Sequence, residues 1–121
     1  MKAILDTNIL IDYLNGIKEA EQELDRFPIK LISVITYIEI LVGLEDLEII
    51  QDIKLFLNSC NIVMINSKIA DLAVIARKEH KLKVPDAIIL ATAQSMDALL
   101  VTRNTKDFPT SIPCVRIPYK I

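Results

Sequence analysis

Histidine is almost missing from this chain: His80 stands alone among 121 residues. It lies in the polar run Lys78-Glu79-His80-Lys81 and reads as a solvated residue at a helix end. With one histidine, neither a Zn²⁺ site nor a Ser-His-Asp triad has its parts. The two cysteines, Cys60 and Cys114, lack metal-type spacing and read as reduced, buried thiols of a cytosolic protein. Tryptophan is absent and aromatics make up 5% of the chain, so the core must be aliphatic, built from Ile, Leu, Val and Ala. No apolar run is long enough to cross a bilayer, and no signal peptide precedes the first apolar stretch. A cytoplasmic protein with no membrane partner is therefore expected. An excess of positive charge is also missing. At a net charge of −2, no global field draws in nucleic acid, so any such contact must be local or helped by metal ions. Repeats, low-complexity segments and linkers are absent, and the length fits one domain over residues 1–121.

What is present is an alternation of short apolar strands with helical spacing. Hydrophobic residues form 52% of the chain, enough for two layers of helices around a sheet. Strands are expected at Lys2–Leu5, Leu31–Ser33, Ile62–Ile65, Ala98–Val101 and Cys114–Ile117. Helices are expected from Asn8 to Leu14, where Asn15-Gly16 stops the first, and at Ile17–Arg26, which Phe27-Pro28 breaks. A third starts at a Ser33 or Thr36 cap and runs to Gly43. An amphipathic one covers Glu45–Leu57, and another, capped at Asn66-Ser67, covers Lys68–His80. A last one starts near Pro85. This alternation predicts an α/β fold, a mainly parallel sheet with helices on both faces.

Three acids stand alone in apolar surroundings. Asp6 is the only charge between Lys2 and Asp12, in A-I-L-D-T-N-I-L-I. Its place at the carboxyl end of the first strand is where ligands bind in open α/β sheets. Glu39 is the only charge between Leu31 and Leu44. Its helix is apolar on nearly every side and is expected to be buried. Asp86 is the only charge between Val84 and Met96. Each has a bland explanation: a helix cap for Asp6, a solvent-facing edge for Glu39, a favourable helix-dipole position for Asp86. A fourth acid, Asp107, lies in the polar loop Thr102–Phe108, again after a strand.

In a parallel sheet, Asp6 and the Thr102–Asp107 loop share one edge, and Glu39 and Asp86 lie on helices that could approach it. Carboxylates gathered there would raise one another's pKa values unless a cation joins them. Mg²⁺ or Mn²⁺, one or two ions, suits an all-oxygen set, and such a site fits phosphoryl hydrolysis better than acyl transfer. Arg103 and Lys106 are candidates for phosphate contacts, or else solvated loop charges.

Four segments together resemble the PIN-domain family, and within it the small VapC-like toxin ribonucleases of toxin–antitoxin pairs. They are I-L-D-T-N-I-L-I-D at Ile4–Asp12, S-V-I-T-Y-I-E-I-L-V-G at Ser33–Gly43, P-D-A-I-I-L-A-T-A at Pro85–Ala93 and L-V-T-R-N-T-K-D-F at Leu100–Phe108. The resemblance implies a Rossmann-like parallel sheet and an Mg²⁺- or Mn²⁺-dependent endoribonuclease acting on RNA. It implies Asp6, Glu39 and Asp86 as acidic metal-site residues. At the fourth position Asn104 stands where the family often has Asp or Asn, so Asp107 is expected to supply the charge with Asn104 in support. Thr7 and Thr102 match small polar residues that orient carboxylates or waters. The same resemblance implies a homodimer and a cognate antitoxin whose C-terminal segment lies in a groove near the site. Two alternatives are a non-catalytic PIN-like binding module and a PIN nuclease outside a toxin–antitoxin system. A receiver-type signalling domain is disfavoured, because Asp6 has no adjacent acid.

Overall fold

The computed structural model describes residues 1–120. Its layering follows from the alternation of side chains along β1 (Lys2–Leu5). Ala3 and Leu5 join one core, Ile4 joins another, and all three are fully buried. A strand buried on both faces reads as a continuous apolar run, as this one does. The other strands are β2 (Ile29–Ser33), β3 (Asn61–Val63), β4 (Leu99–Val101) and β5 (Val115–Arg116). They form one sheet in the order β3-β2-β1-β4-β5, every pair parallel. Register carries the two-sided pattern across the sheet. Leu31, Ile4 and Leu100 are paired in a row and share one core. Leu5 and Val101 are paired and share the other with Ile32.

Helices occupy both faces, as the strand–helix alternation implies. Against Leu5, Ile32 and Val101 pack α1 (Thr7–Leu14), α2 (Lys18–Arg26) and α4 (Leu47–Ser59), through Ile9, Leu10, Leu24 and Leu57. Against Ile4, Leu31 and Leu100 pack α5 (Ser67–His80) and α6 (Val84–Ser95). The small residues Ala73, Ala76, Ala87 and Ala91 let α5 and α6 lie close together. α3 (Val34–Val42) spans the carboxyl edge, with Ile40 in the first core and Ile35 against the second. The chain builds β1, β2 and β3 outward in one direction, then returns past β1 to lay down β4. The order therefore reverses between β1 and β4, and their carboxyl ends flank that switch point.

Several boundaries differ from expectation for identifiable reasons. β2 starts at Ile29, because Lys2 of β1 gives Ile29 a partner directly after Pro28. β3 ends at Val63 and leaves out Met64 and Ile65. Its partner Ser33 is the last residue of β2 and turns to cap α3, its Oγ accepting the Ile35 N–H at 3.1 Å. The expectation of a buried α3 is overturned. Thr36 and Ile40 face inward, but Ile38 is 53% and Val42 78% exposed. α4 is open as well, at Leu47, Ile49 and Leu55.

Two ion pairs tie α1 and α2 to the β4–β5 half of the sheet. Glu23 on α2 is buried and takes Arg116 of β5 in a two-bonded fork, at 2.6 and 3.1 Å. Arg26 adds a third bond to Glu23 at 3.2 Å. Asp12 on α1, also buried, takes Arg103 in the same manner, at 2.6 and 3.0 Å. No helix among the described residues is long and apolar enough to cross a membrane.

Candidate active site at the carboxyl edge of the sheet

Asp6 follows β1 directly and caps α1, its Oδ1 accepting the Thr7 N–H at 2.8 Å. The bland explanation of Asp6 as a cap is thus true, and the cap leaves its other oxygen for a second role. Oδ2 accepts from the Thr102 hydroxyl at 2.7 Å and from the Asn8 side-chain amide at 3.1 Å. Thr102 stands at the end of β4, so these bonds close the gap between the two strands at the switch point. Burial pushes the Asp6 carboxyl up, and the hydrogen bonds from Thr102, Thr7 and Asn8 oppose that shift. The three donors favour the charged carboxylate but do not outweigh its burial, so the charge remains costly without a cation.

Glu39 reaches the same edge from α3. The Thr7 hydroxyl donates to its Oε1 at 2.9 Å and lies 3.4 Å from the Thr36 hydroxyl. Glu39 is exposed, which agrees with the solvent-facing edge weighed for it and not with the buried helix expected around it. The reason is the open outer side of α3. Asp86 sits in the first turn of α6, with Pro85 beside it near the helix start, and is half-buried. Its carboxyl is pushed up to about 6, first by burial, then by the charges of Asp6, Asp107 and Glu39. Lys83 opposes this weakly. Asp86 thus lies close enough to three acids from other parts of the chain to be repelled by each of them.

The Thr102–Asp107 loop is internally braced. The Thr102 hydroxyl accepts the Asn104 N–H at 3.0 Å, and Asn104 Oδ1 accepts the Asp107 N–H at 3.1 Å. The Asn104 amide then donates to Asp107 Oδ2 at 2.9 Å. Asn104 therefore orients Asp107. Arg103, a candidate for a phosphate contact or else a solvated loop charge, is neither: its guanidinium is held by Asp12. Lys106 remains exposed. Lys83 was not singled out from the sequence; it is the cation felt by Asp86. Asn8 and Thr36 were also missed as site residues. The polar knot Asp6-Thr7-Asn8 was the available signal for Asn8, and Thr36 gave none beyond its fitness as a cap.

The donor set is all oxygen, and its members repel in the absence of a positive partner, which suits a hard divalent cation. Among the described residues the acids are not drawn into a preformed cage of three or more ligands. Acids spaced in this way would leave part of the coordination to water or substrate oxygens, as Mg²⁺ prefers. The raised pKa of Asp86 has a consequence for the metal-free protein. The folded state holds this proton more tightly than the unfolded chain. Stability should fall as pH rises from the ordinary 3.8 through about 6, and the penalty is complete above that. Asp86→Asn should remove it, adding about 1–2 kcal/mol at pH 7.5 after solvent screening and nothing near pH 3.5. Denaturant unfolding at the two pH values, with EDTA present, checks this. An equal effect at both would show that Asp86 carries no electrostatic strain.

A family model described as the PIN domain matches residues 3–109. Among solved structures, the chain is similar to one in a toxin–antitoxin complex from Klebsiella pneumoniae. The identity is 48%, over 98% of this chain and 99% of that one, with a TM-score of 0.92. It is also similar to a chain of VapBC2 from Rickettsia felis bound to a DNA fragment from their promoter, at 22% identity over 99% and 100% of the two chains, TM-score 0.83. A DNA-bound VapBC from Salmonella typhimurium gives 23%, 97% and 96%, and 0.79. At those identities the last two bear on the fold alone. No match to a curated protein accompanies these likenesses.

Proposed function

The chain belongs to the PIN domain family, and from that premise we propose that it is an Mg²⁺- or Mn²⁺-dependent endoribonuclease, the toxin of a toxin–antitoxin pair. The observation that supports the reading is the upward push on Asp86 by the charges of Asp6, Asp107 and Glu39, at the edge where β1 and β4 end. One or two bound ions would supply Lewis acidity toward a phosphodiester and lower the pKa of an attacking water. Asp6 and Asp86 would be the primary ligands. Glu39 and Asp107 complete the acidic ring, and one of them takes the proton from the water. Thr102 and Asn8 hold the Asp6 carboxylate in one orientation, Thr7 holds Glu39, and Asn104 holds Asp107. Lys83, whose charge acts on Asp86, and Lys106, exposed in the Thr102–Asp107 loop, are the candidates to meet RNA phosphates. The chain acts as a single domain over residues 1–121, in the cytoplasm.

The 48% identical relative comes from a toxin–antitoxin complex, which supports a cognate antitoxin as partner here. A groove of about 380 Å³ lined by Ile11, Leu14, Ile40, Ile49 and Ile53 runs up to Glu39. It offers an antitoxin segment apolar contact that ends at the acids. A homodimer would cover part of the apolar surface left open on the helices. The proposed ion site is tested by calorimetric titration with Mn²⁺, coupled to thermal unfolding. Mn²⁺ should raise the melting temperature of the parent protein, since an ion that binds only the folded state stabilises it. In Glu39→Gln this rise should shrink by half or more. An unchanged rise would leave Glu39 with a structural role only.

A further inference from the structure

We propose that Asp12, Arg103 and Tyr119 form a positioning clamp that sets the acidic Thr102–Asp107 loop against α1. Arg103 is the residue between Thr102 and Asn104, and it is held twice by the same helix. Its backbone N–H donates to Asn8 Oδ1 at 3.2 Å. One helical turn further on, its guanidinium forks onto Asp12, Nε to Oδ2 at 2.6 Å and Nη2 to Oδ1 at 3.0 Å. The Tyr119 hydroxyl, from the tail after β5, donates to Asp12 Oδ2 at 2.9 Å and completes the acceptor's shell. None of the three touches the acids, so none is a catalytic residue.

What makes this pair more than a staple is its place in the chain. Asn8 bonds Asp6 on one side and Thr102 and Arg103 on the other. A helix that carries Asp6 at its start therefore also grips the residue from which the Asn104–Asp107 brace begins. A planar guanidinium held at two points fixes direction as well as distance, which an ammonium would not. A rotation of Arg103 would carry Thr102 and Asn104 with it and shift Asp107 relative to Asp6. The other buried pair, Glu23 with Arg116, has the same chemistry but ties α2 to β5 and has no site residue beside it in sequence.

Removing one partner of a buried pair leaves a stranded charge and confuses stability with positioning. The informative variant removes both, because apolar replacement of a whole pair is often neutral for stability. Asp12→Leu combined with Arg103→Met should melt within a few degrees of the parent. Its amide hydrogens at Arg103, Asn104 and Asp107 should nevertheless exchange roughly tenfold faster, while that of Leu100 in β4 stays as in the parent. Tyr119→Phe, which keeps the pair and loses one donor, should show the same pattern at smaller size and serves if the double variant does not fold. The idea is overturned if the loop amides keep the parent's rates, or if loop and β4 amides quicken in step, which is plain loss of stability. This readout needs no metal and no RNA, so it stands apart from the nuclease reading. The consequence for catalysis does rest on that reading: kcat for RNA cleavage should drop about tenfold with KM nearly unchanged. A rise in KM alone would mean that Arg103 acts on substrate binding and not on the loop.

Discussion

Asp6→Asn should lower RNA cleavage by roughly a thousandfold or more, the scale on which loss of one essential polar group silences a hydrolytic site. The protein should stay folded, with a melting temperature within a few degrees of the parent. Two opposing effects lead to that expectation. Asn caps a helix as well as Asp, so the bond from the Thr7 N–H survives, and the loss of a buried charge relieves the repulsion felt from Glu39. Against this, the new amide NH₂ would meet donors from Thr102 and Asn8, which now point at a carboxylate oxygen. The hydroxyl of Thr102 already accepts from the Asn104 N–H and the Asn8 amide, so it can take the new NH₂ only once the Asn8 amide flips away. Cleavage and thermal unfolding measured side by side test the claim. Activity within about tenfold of the parent would remove Asp6 from the centre of the site.

The second large effect concerns the fold. Arg116→Met should destabilise the protein by about 2–3 kcal/mol, or roughly 10 °C in melting temperature, because it strands Glu23 in the interior. The Glu23 side chain is only 3% exposed, and its remaining partner, Arg26, is itself 62% exposed. Arg26 supplies one hydrogen bond, so the loss falls short of that for a wholly unpaired charge. Glu23→Met in the same background should recover most of the stability, since the burial cost then disappears with the charge. Chemical denaturation of the parent, single and double variants gives the coupling directly. A single variant within 0.5 kcal/mol of the parent would mean that Glu23 reaches water, and the pair would then be worth no more than a surface one.

These two predictions also mark what could be read from the sequence. β1 was legible because both its faces are buried, so the apolar run Ala3–Leu5 had only one consistent interpretation. Asp6 and Asp86 were legible as lone charges, and Asn66 and Ser33 as caps. The place where the acids would meet needed the strand order, which a parallel sheet with a switch point supplied only in outline. The ends of β2 and β3 were misjudged because they depend on a neighbour: Ile29 gains Lys2, and Met64 loses a partner once Ser33 turns into α3. The exposure of Ile38 and Val42 was hidden for a different reason. An apolar helix looks buried whether its cover is its own chain or another molecule. The pairing of Arg103 had no signal in the sequence, because its partner Asp12 lies 91 residues away. Glu23 sits in a helix so rich in charge that one buried member has no signature.

The central claim is metal-dependent cleavage of RNA at the acidic cleft, and the most direct measurement is made on purified protein with total RNA. The protein is freed of metal with EDTA, and Mg²⁺ or Mn²⁺ is then added back. The account predicts no cutting in EDTA and discrete cleavage products once either ion is restored. Cutting that persists in EDTA, or no cutting with any ion, would contradict it.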